Sequence, residues 1–419
     1  MWHRRRGRVG LNIFLTVLIV AVVYFMFIGY RQMSALQAEQ DKALVALANE
    51  TKQQTQASKE ESYEALEAAY QQDLDAVSQY LPGIVCWGDV LTEGTASGIS
   101  YPKSLQSLID KYLVTPYDFR STLENPYQYT RMDWDKYTVS IPVVNMGIGK
   151  ESTQTILGRS GVVPFTVSKE FVIPADCSPV QLYFNGYKES AVKPLISGDM
   201  GVNPVTICGV EGILTADPDS YSDYSTGSYT FTRSVPGAEV TVERGTEIVT
   251  SSSSLYRDYI HIIFIGSYGT YSNAEELAAQ VKLMVSRQTK NSDRFLVIGN
   301  YAGSTSSSNF YNQFAALMTQ EYGERFLNFR KYLLNEALSE FDMNPTREDT
   351  SYVKGGYIPP SVLVAGSEPE LRSFLYEKLG QLVFERLDAL GYFDEVRAEL
   401  HIPSVSAVDA ALAAAKANQ

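Results

Sequence analysis

From Leu11 to Tyr30 the chain reads LNIFLTVLIVAVVYFMFIGY, an apolar run without a single charge. At ~1.5 Å per residue a helix of this length matches a ~30 Å hydrocarbon core. Arg4, Arg5, Arg6 and Arg8 precede it, and positive charge beside a spanning helix is retained on the cytoplasmic side. The expected topology is a cytoplasmic tail over 1–10, a transmembrane helix over 11–30 and everything later outside the cytoplasm. A cleavable signal peptide has an apolar core of about 7–15 residues ending at a small-x-small site. The run here is longer and Met33-Ser34-Ala35 is a poor cleavage site, so an uncleaved anchor is expected.

The net charge of the chain is −13, and setting aside the four N-terminal arginines leaves −17 on the remainder. A surface this acidic repels nucleic acid and other polyanions, so the membrane is the expected partner and nucleic acid is not. Cys86, Cys177 and Cys208 are too few for a disulfide scaffold and allow at most one bridge. No cluster of His, Cys and carboxylate has metal-ligand spacing, and NMGIGK (145–150) is not followed by the Gly-Lys-Ser/Thr of a phosphate loop. Neither a metal nor a cofactor is expected.

Residues 31–80 contain no proline or glycine and are rich in Ala, Gln, Glu and Lys, which predicts a helical stalk of up to ~75 Å. Leu66, Tyr70, Leu74, Val77 and Leu81 form an apolar stripe, whereas 51–61 is polar all round, an expected hinge that argues against a continuous coiled coil. Beyond Pro82, the apolar run Gly83–Trp87 stops at Gly88-Asp89 as a buried parallel strand does, and Pro102 opens an amphipathic helix through Leu113. From 162 to 256, short β-branched and aromatic runs alternate with Gly, Pro, Asp and Ser, the texture of an inserted β-rich subdomain. Strand, helix and strand patterns at 260–266, 273–288 and 295–300 restore the α/β alternation. Long helical patterns at 310–341 and 370–393 follow, and 394–419 reads as a tail with a frayed helix.

Sites in an open α/β sheet lie beyond the C-terminal strand ends, and the loops there, GDVLTEG (88–94), NMGIGKEST (145–153), GSYGTYSN (266–273) and the Pro359–Glu370 segment, resemble the SGNH/GDSL hydrolases, specifically a bacterial cell-surface branch with a β insertion. The resemblance covers about residues 82–393 and rests on segments in the right order. Gly88-Asp89-Val90-Leu91-Thr92-Glu93-Gly94 matches the first block, with Val90 where the family has its serine nucleophile. Asn145-Met146-Gly147-Ile148-Gly149-Lys150-Glu151-Ser152 matches the second, with Gly149 at the backbone oxyanion donor. Gly266-Ser267-Tyr268-Gly269 matches the third, with Tyr268 in place of the asparagine donor. Counting back from Leu375–Gly380 places Ser367 at the catalytic aspartate and Glu370 at the histidine, a register good to one or two residues.

What the resemblance implies is an SGNH-hydrolase-like, flavodoxin-like parallel sheet flanked by helices, split into 82–161 and 257–393 by the 162–256 insertion. Ester chemistry by a serine needs a nucleophile, a base, a group orienting that base and an oxyanion donor pair. Only the Gly149 donor survives. No histidine lies between His261 and His401, and His261 reads as a strand residue with a satisfied side chain. Cys86 lies inside the first strand, where a thiol is buried and inert.

The leading expectation is a membrane-anchored, catalytically silent scaffold that binds a cell-surface glycan or envelope protein. Asp89, Thr92, Glu93, Gly149, Tyr268 and Glu370 are the candidate ligand-binding residues, with Tyr268, Tyr271, Tyr301 and Tyr357 as aromatic surfaces near the cleft. Two alternatives are an esterase or O-acyltransferase of envelope polysaccharide with a rearranged site, and a scaffold protein that assembles through its stalk. Asp89, Glu93 and Glu370 would serve glycoside cleavage only if two carboxyl groups were held ~5–9.5 Å apart; solvated loop carboxylates are the plainer expectation.

Overall fold

The computed structural model describes residues 3–114, 139–194, 200–216, 229–288, 293–299, 308–364 and 370–417. It divides into two units, Met1–Gln71 and Gln72–Gln419. The first unit is helical, part of the element α1 (His3–Tyr80), and the polar stretch 51–61 is helical throughout rather than hinged. Alanine, glutamine, glutamate and lysine need no tertiary contact to favour that state. Within Ile13–Ser58 an 18-residue window has a mean hydropathy of 2.6, long and apolar enough to cross a membrane. Phe14, Val20, Phe25 and Met26 are all more than half exposed.

In the second unit the apolar stripe enters the core through Val77 and Leu81, and β1 (Ile84–Gly88) follows. With β2 (Val143–Gly147), β3 (Ile260–Phe264), β4 (Phe295–Ile298) and β5 (Phe326–Leu327) it forms a parallel sheet in the order 5-4-3-1-2. This is the flavodoxin-like winding. Every side chain of β1 and β3 is buried, as expected of central strands covered by helices on both faces. The register sets Gly88 beside both Phe264 and Gly147, which brings the ends of β1, β2 and β3 together.

On one face, α2 (Tyr101–Ile109), capped by Ser100, packs on the sheet with a C-terminal helix, Ser373–Ala389. Gly380 allows close approach, since a Cβ there would come within 2.6 Å of the Ser104 side chain. The expected helix through Leu113 ends earlier, and Asp110–Val114 widens into a π turn. On the other face, α3 (Thr153–Arg159), α4 (Ala274–Gln288) and α5 (Ser308–Tyr322) bury Ile156, Leu277, Val281, Met284 and Phe314 against Val85, Trp87 and Ile263.

The expected long helix at 310–341 is broken. It stops at Tyr322, turns at Gly323 with φ +54°, forms β5 and resumes at Phe329–Asn335. Periodicity alone cannot see that break, because Phe326 and Leu327 suit a helix face as well as an edge strand. A helix at Arg347–Lys354, with a Thr346/Asp349 capping box, adds an element that the sequence pattern left out. The helix over the expected 370–393 pattern is α6 (Ser373–Ala389), and the tail is helical over Asp394–Glu399 and Val405–Ala417.

Between α3 and β3 lies a seven-stranded antiparallel sheet and a two-stranded ribbon. Alternating side chains, among them Phe165, Val167, Leu182, Ile207, Leu214, Phe231 and Ile248, form a second core. A buried ion pair ties it to the parallel sheet. Arg159 contacts both Glu151 oxygens, at 3.0 and 2.5 Å, and donates to the carbonyls of Met146 and Met200. Its own carbonyl accepts from Thr250 and Ser252, and its guanidinium stacks 5.4 Å from the Trp87 ring.

Candidate functional site

The strand order reverses between β1 and β3, so the crevice of an open α/β sheet opens beyond Gly88 and Phe264. Asp89, the first residue after β1, is fully buried. Its Oδ1 accepts the Leu91 N–H at 3.2 Å and its Oδ2 the Ser267 N–H at 3.0 Å. Burial lifts its carboxyl to about 6 despite those bonds, and the Glu151 charge adds to the rise. Asp89 is therefore a clasp between two loops, with both oxygens used internally.

Val90 begins the short turn Val90–Glu93 and is half-buried at the mouth. Thr92 lies beneath that turn, fully buried against Gly88 and close to the Tyr101 hydroxyl. A ligand in the crevice would not reach it. Glu93 points outward over the second loop, so that a Cβ on Gly149 would sit 2.5 Å from its Oε2. Burial, with the Glu370 charge adding to it, raises the Glu93 carboxyl above its ordinary range, although the Gly149 backbone beside it favours the ionised form.

The third loop is held rigidly. Thr153 N–H donates to the Tyr268 carbonyl at 3.1 Å, and Gln154 exchanges bonds with both backbone groups of Thr270 at 2.7 and 3.1 Å. Gln280 also donates to Thr270. Neither glutamine stands out in the sequence, where Gln280 sits inside a helical pattern and Gln154 directly follows the loop that begins NMGIGK. Their signal was a polar residue on a helix face otherwise destined for the core.

Tyr268 is half-buried in the crevice, and burial with the charges of Asp89 and Glu370 raises its hydroxyl above the ordinary range. Tyr271 is a packing residue: its hydroxyl donates to the Gly266 carbonyl at 2.5 Å and its ring stacks on Phe310 at 5.5 Å. Tyr357 packs edge-on to Tyr352 at 6.2 Å. Tyr301 and Ser367 lie outside the described residues.

Glu370 is half-buried just before α6, and its charge acts on Glu93, Tyr268 and Tyr376. Glu93 lies over Gly149, the Glu370 charge reaches both Glu93 and Tyr268, and Asp89 and Thr92 are fully buried. Tyr376, in the first turn of α6, was missed in the sequence because its position belongs to the apolar face of that helix. It is fully buried, and that burial raises its hydroxyl far above the ordinary range; the Leu371 backbone opposes the rise, and the charges of Glu370, Asp89 and Glu93 add to it.

His261 lies near the opposite end of β3. It is fully buried, accepts the Trp87 indole N–H on Nδ1 at 3.3 Å, and burial pushes it down to about 4. His401 is exposed in the tail. Cys86 is buried, which drives its thiol far above the ordinary range, and Cys177 and Cys208 are free and exposed. Among the described residues no group of His, Cys, Asp and Glu is arranged to hold a metal.

No family model matches the chain, and no curated protein matches it. Among solved structures, a peptidoglycan O-acetylesterase described as "in action" is similar, with 9% identity and a TM-score of 0.28 over 79% of this chain and 96% of that one. The fold described above stands on its own strand order and packing, independent of that likeness.

Proposed function

We propose that the chain is a membrane-anchored, SGNH-hydrolase-like protein whose crevice binds a cell-envelope ligand, a glycan or an envelope protein, without ester chemistry. The observation that carries this reading is the position of Glu93 over Gly149, where a Cβ would sit 2.5 Å from Glu93 Oε2. In an esterase the matching N–H is open to the developing oxyanion; here a carboxylate of the chain itself lies over that position. Val90 has no nucleophilic atom, and the nearest buried imidazole, His261, is engaged by Trp87 far down β3. The topology that fits has residues 1–10 in the cytoplasm, 31–80 as a stalk and 82–393 outside, with 162–256 as the insertion.

Full-length protein in detergent is expected to leave p-nitrophenyl acetate uncleaved between pH 5 and 9 and to take up no fluorophosphonate probe. Turnover that co-purifies with the protein and disappears on altering Tyr268 or Glu370 would overturn the reading.

A further inference from the structure

A cavity of about 670 Å³ opens between α5 (Ser308–Tyr322) and the helix Phe329–Asn335 that follows β5. It lies beside the edge strand of the parallel sheet, away from the reversal point beyond Gly88. The chain has 48 acidic and 35 basic side chains. The described residues that line this cavity reverse that balance: none is a carboxylate, and two are cations, Arg330 and Lys331. Among the described residues neither cation forms an ion pair, although the chain makes several elsewhere. Four side-chain amides, those of Asn312, Gln320, Asn328 and Asn335, share the lining. Asn328 Oδ1 accepts the Lys331 N–H at 3.0 Å, and the other three side chains are exposed.

An exposed lysine among amides would be ordinary surface. Arg330 is different, because it is only 4% exposed. Its guanidinium lies 5.2 Å from the centroid of the Tyr311 ring, and Nη2 donates to the Gly356 carbonyl. Its Nε is buried and has no hydrogen-bond partner. A guanidinium carries five N–H donors and keeps its charge, and a charge taken out of water is ordinarily paired. Burial pulls Arg330 below its ordinary range, and only Tyr311 opposes that shift. The fold thus desolvates a cation at the wall of an open cavity and supplies no counter-charge.

An anion that also carries hydroxyl groups fits this wall. A planar guanidinium matches a carboxylate, and a side-chain amide both donates and accepts, as a sugar hydroxyl does. The apolar lining is two alanines and one leucine, which leaves no deep pocket for the aromatic anchor of a peptide partner. We propose that this cavity is a second binding site, separate from the crevice, for a carboxylate-bearing sugar of the uronic acid class. The carboxylate lies against Arg330 and Lys331, and the hydroxyls meet the amides.

The test uses the full chain in phosphatidylcholine nanodiscs and trimers of galacturonate and of glucuronate. Each is compared calorimetrically at neutral pH with its methyl ester, which keeps the hydroxyls and removes the charge. At least one free acid is expected to bind about tenfold more tightly than its ester. Arg330→Gln should weaken that binding at least about tenfold and Lys331→Ala about threefold, as expected for loss of a buried and of an exposed charged partner. Circular dichroism and thermal melting check the Arg330 variant; should it fail to fold, Lys331→Ala with Asn335→Ala, both on exposed side chains, decides by the same weakening. Equal binding of acids and esters, no binding of any trimer, or unchanged affinity in the folded Arg330→Gln protein or in that double variant overturns the proposal. A glutamate trimer that binds as tightly overturns the sugar assignment in favour of an acidic peptide. Weakening by Glu93→Ala with none from Arg330→Gln places the ligand in the crevice and removes the second site.

Discussion

Asp89 and Ser267 are joined across the point where the strand order of the sheet reverses, the Ser267 N–H donating to Asp89 Oδ2 at 3.0 Å. That one bond couples the loop after β1 to the loop after β3, and Leu91 occupies the other carboxylate oxygen. The crevice is built around an internal clasp.

The clasp makes stability pH-dependent. Burial raises the Asp89 carboxyl from 3.8 to about 6, so the folded form holds its proton more tightly than the unfolded chain. Its contribution is fully present below about pH 4 and is lost as pH rises toward 6, a change on the order of 3 kcal/mol. Chemical denaturation of wild type and Asp89→Asn at pH 4, 5, 6 and 7 measures it. The stability of wild type relative to the variant should fall over that range; a constant difference contradicts the assignment.

The pair of Glu151 and Arg159 is 1% exposed on both sides, and Arg159 carries it to the β-rich insertion through its bonds with Met200, Thr250 and Ser252. Arg159→Met leaves a carboxylate buried without its partner and should cost about 3–5 kcal/mol. The double variant Glu151→Gln/Arg159→Met is expected to recover part of that loss. Urea unfolding of the three proteins decides it, and a double variant no more stable than Arg159→Met would show that the damage comes from the lost backbone bonds to Met146 and Met200.

Restoring ester chemistry requires clearing the oxyanion position as well as supplying the side chains. A variant with Ser, Asn, Asp and His at positions 90, 268, 367 and 370 still has Glu93 over Gly149. Adding Glu93→Ala should raise p-nitrophenyl acetate turnover at least ~10²-fold, the scale of one oxyanion donor. Equal rates with and without that change would mean that Glu93 does not block the donor.

His261 stays neutral at physiological pH. With its imidazole lowered to about 4, the unfolded chain gains a proton below about pH 6.5 while the folded form does not, so this residue's contribution is lost as pH falls from about 6.5 toward 4. Imidazole NMR signals should show no titration of His261 above pH 5. A midpoint above 6 would show that the ring reaches solvent or a charge.

Local patterns carried a large part of the architecture. The uncharged run at 11–30, the strand that stops at Gly88-Asp89 and the switch to β texture after 162 are each written in contiguous residues, because helix and strand periods and lipid thickness act locally. The break at Gly323 and the strand Phe326–Leu327 were not legible, since an edge strand of two residues exists only through its pairing with β4.

The same division holds for the crevice. Sequence by itself determined which atoms are present at the matched positions: no nucleophile at Val90, no imidazole near Glu370, an acidic chain behind an apolar helix. Only the tertiary structure decided where the charges go. Asp89 was a cleft candidate until burial turned both of its oxygens inward to Leu91 and Ser267. Glu93 was one loop carboxylate among many until the fold set it over Gly149. Electrostatic interaction depends on distance and on exclusion of water, and both are set by residues far apart in the chain, which is why the carboxylate over Gly149 could be seen only in the folded protein.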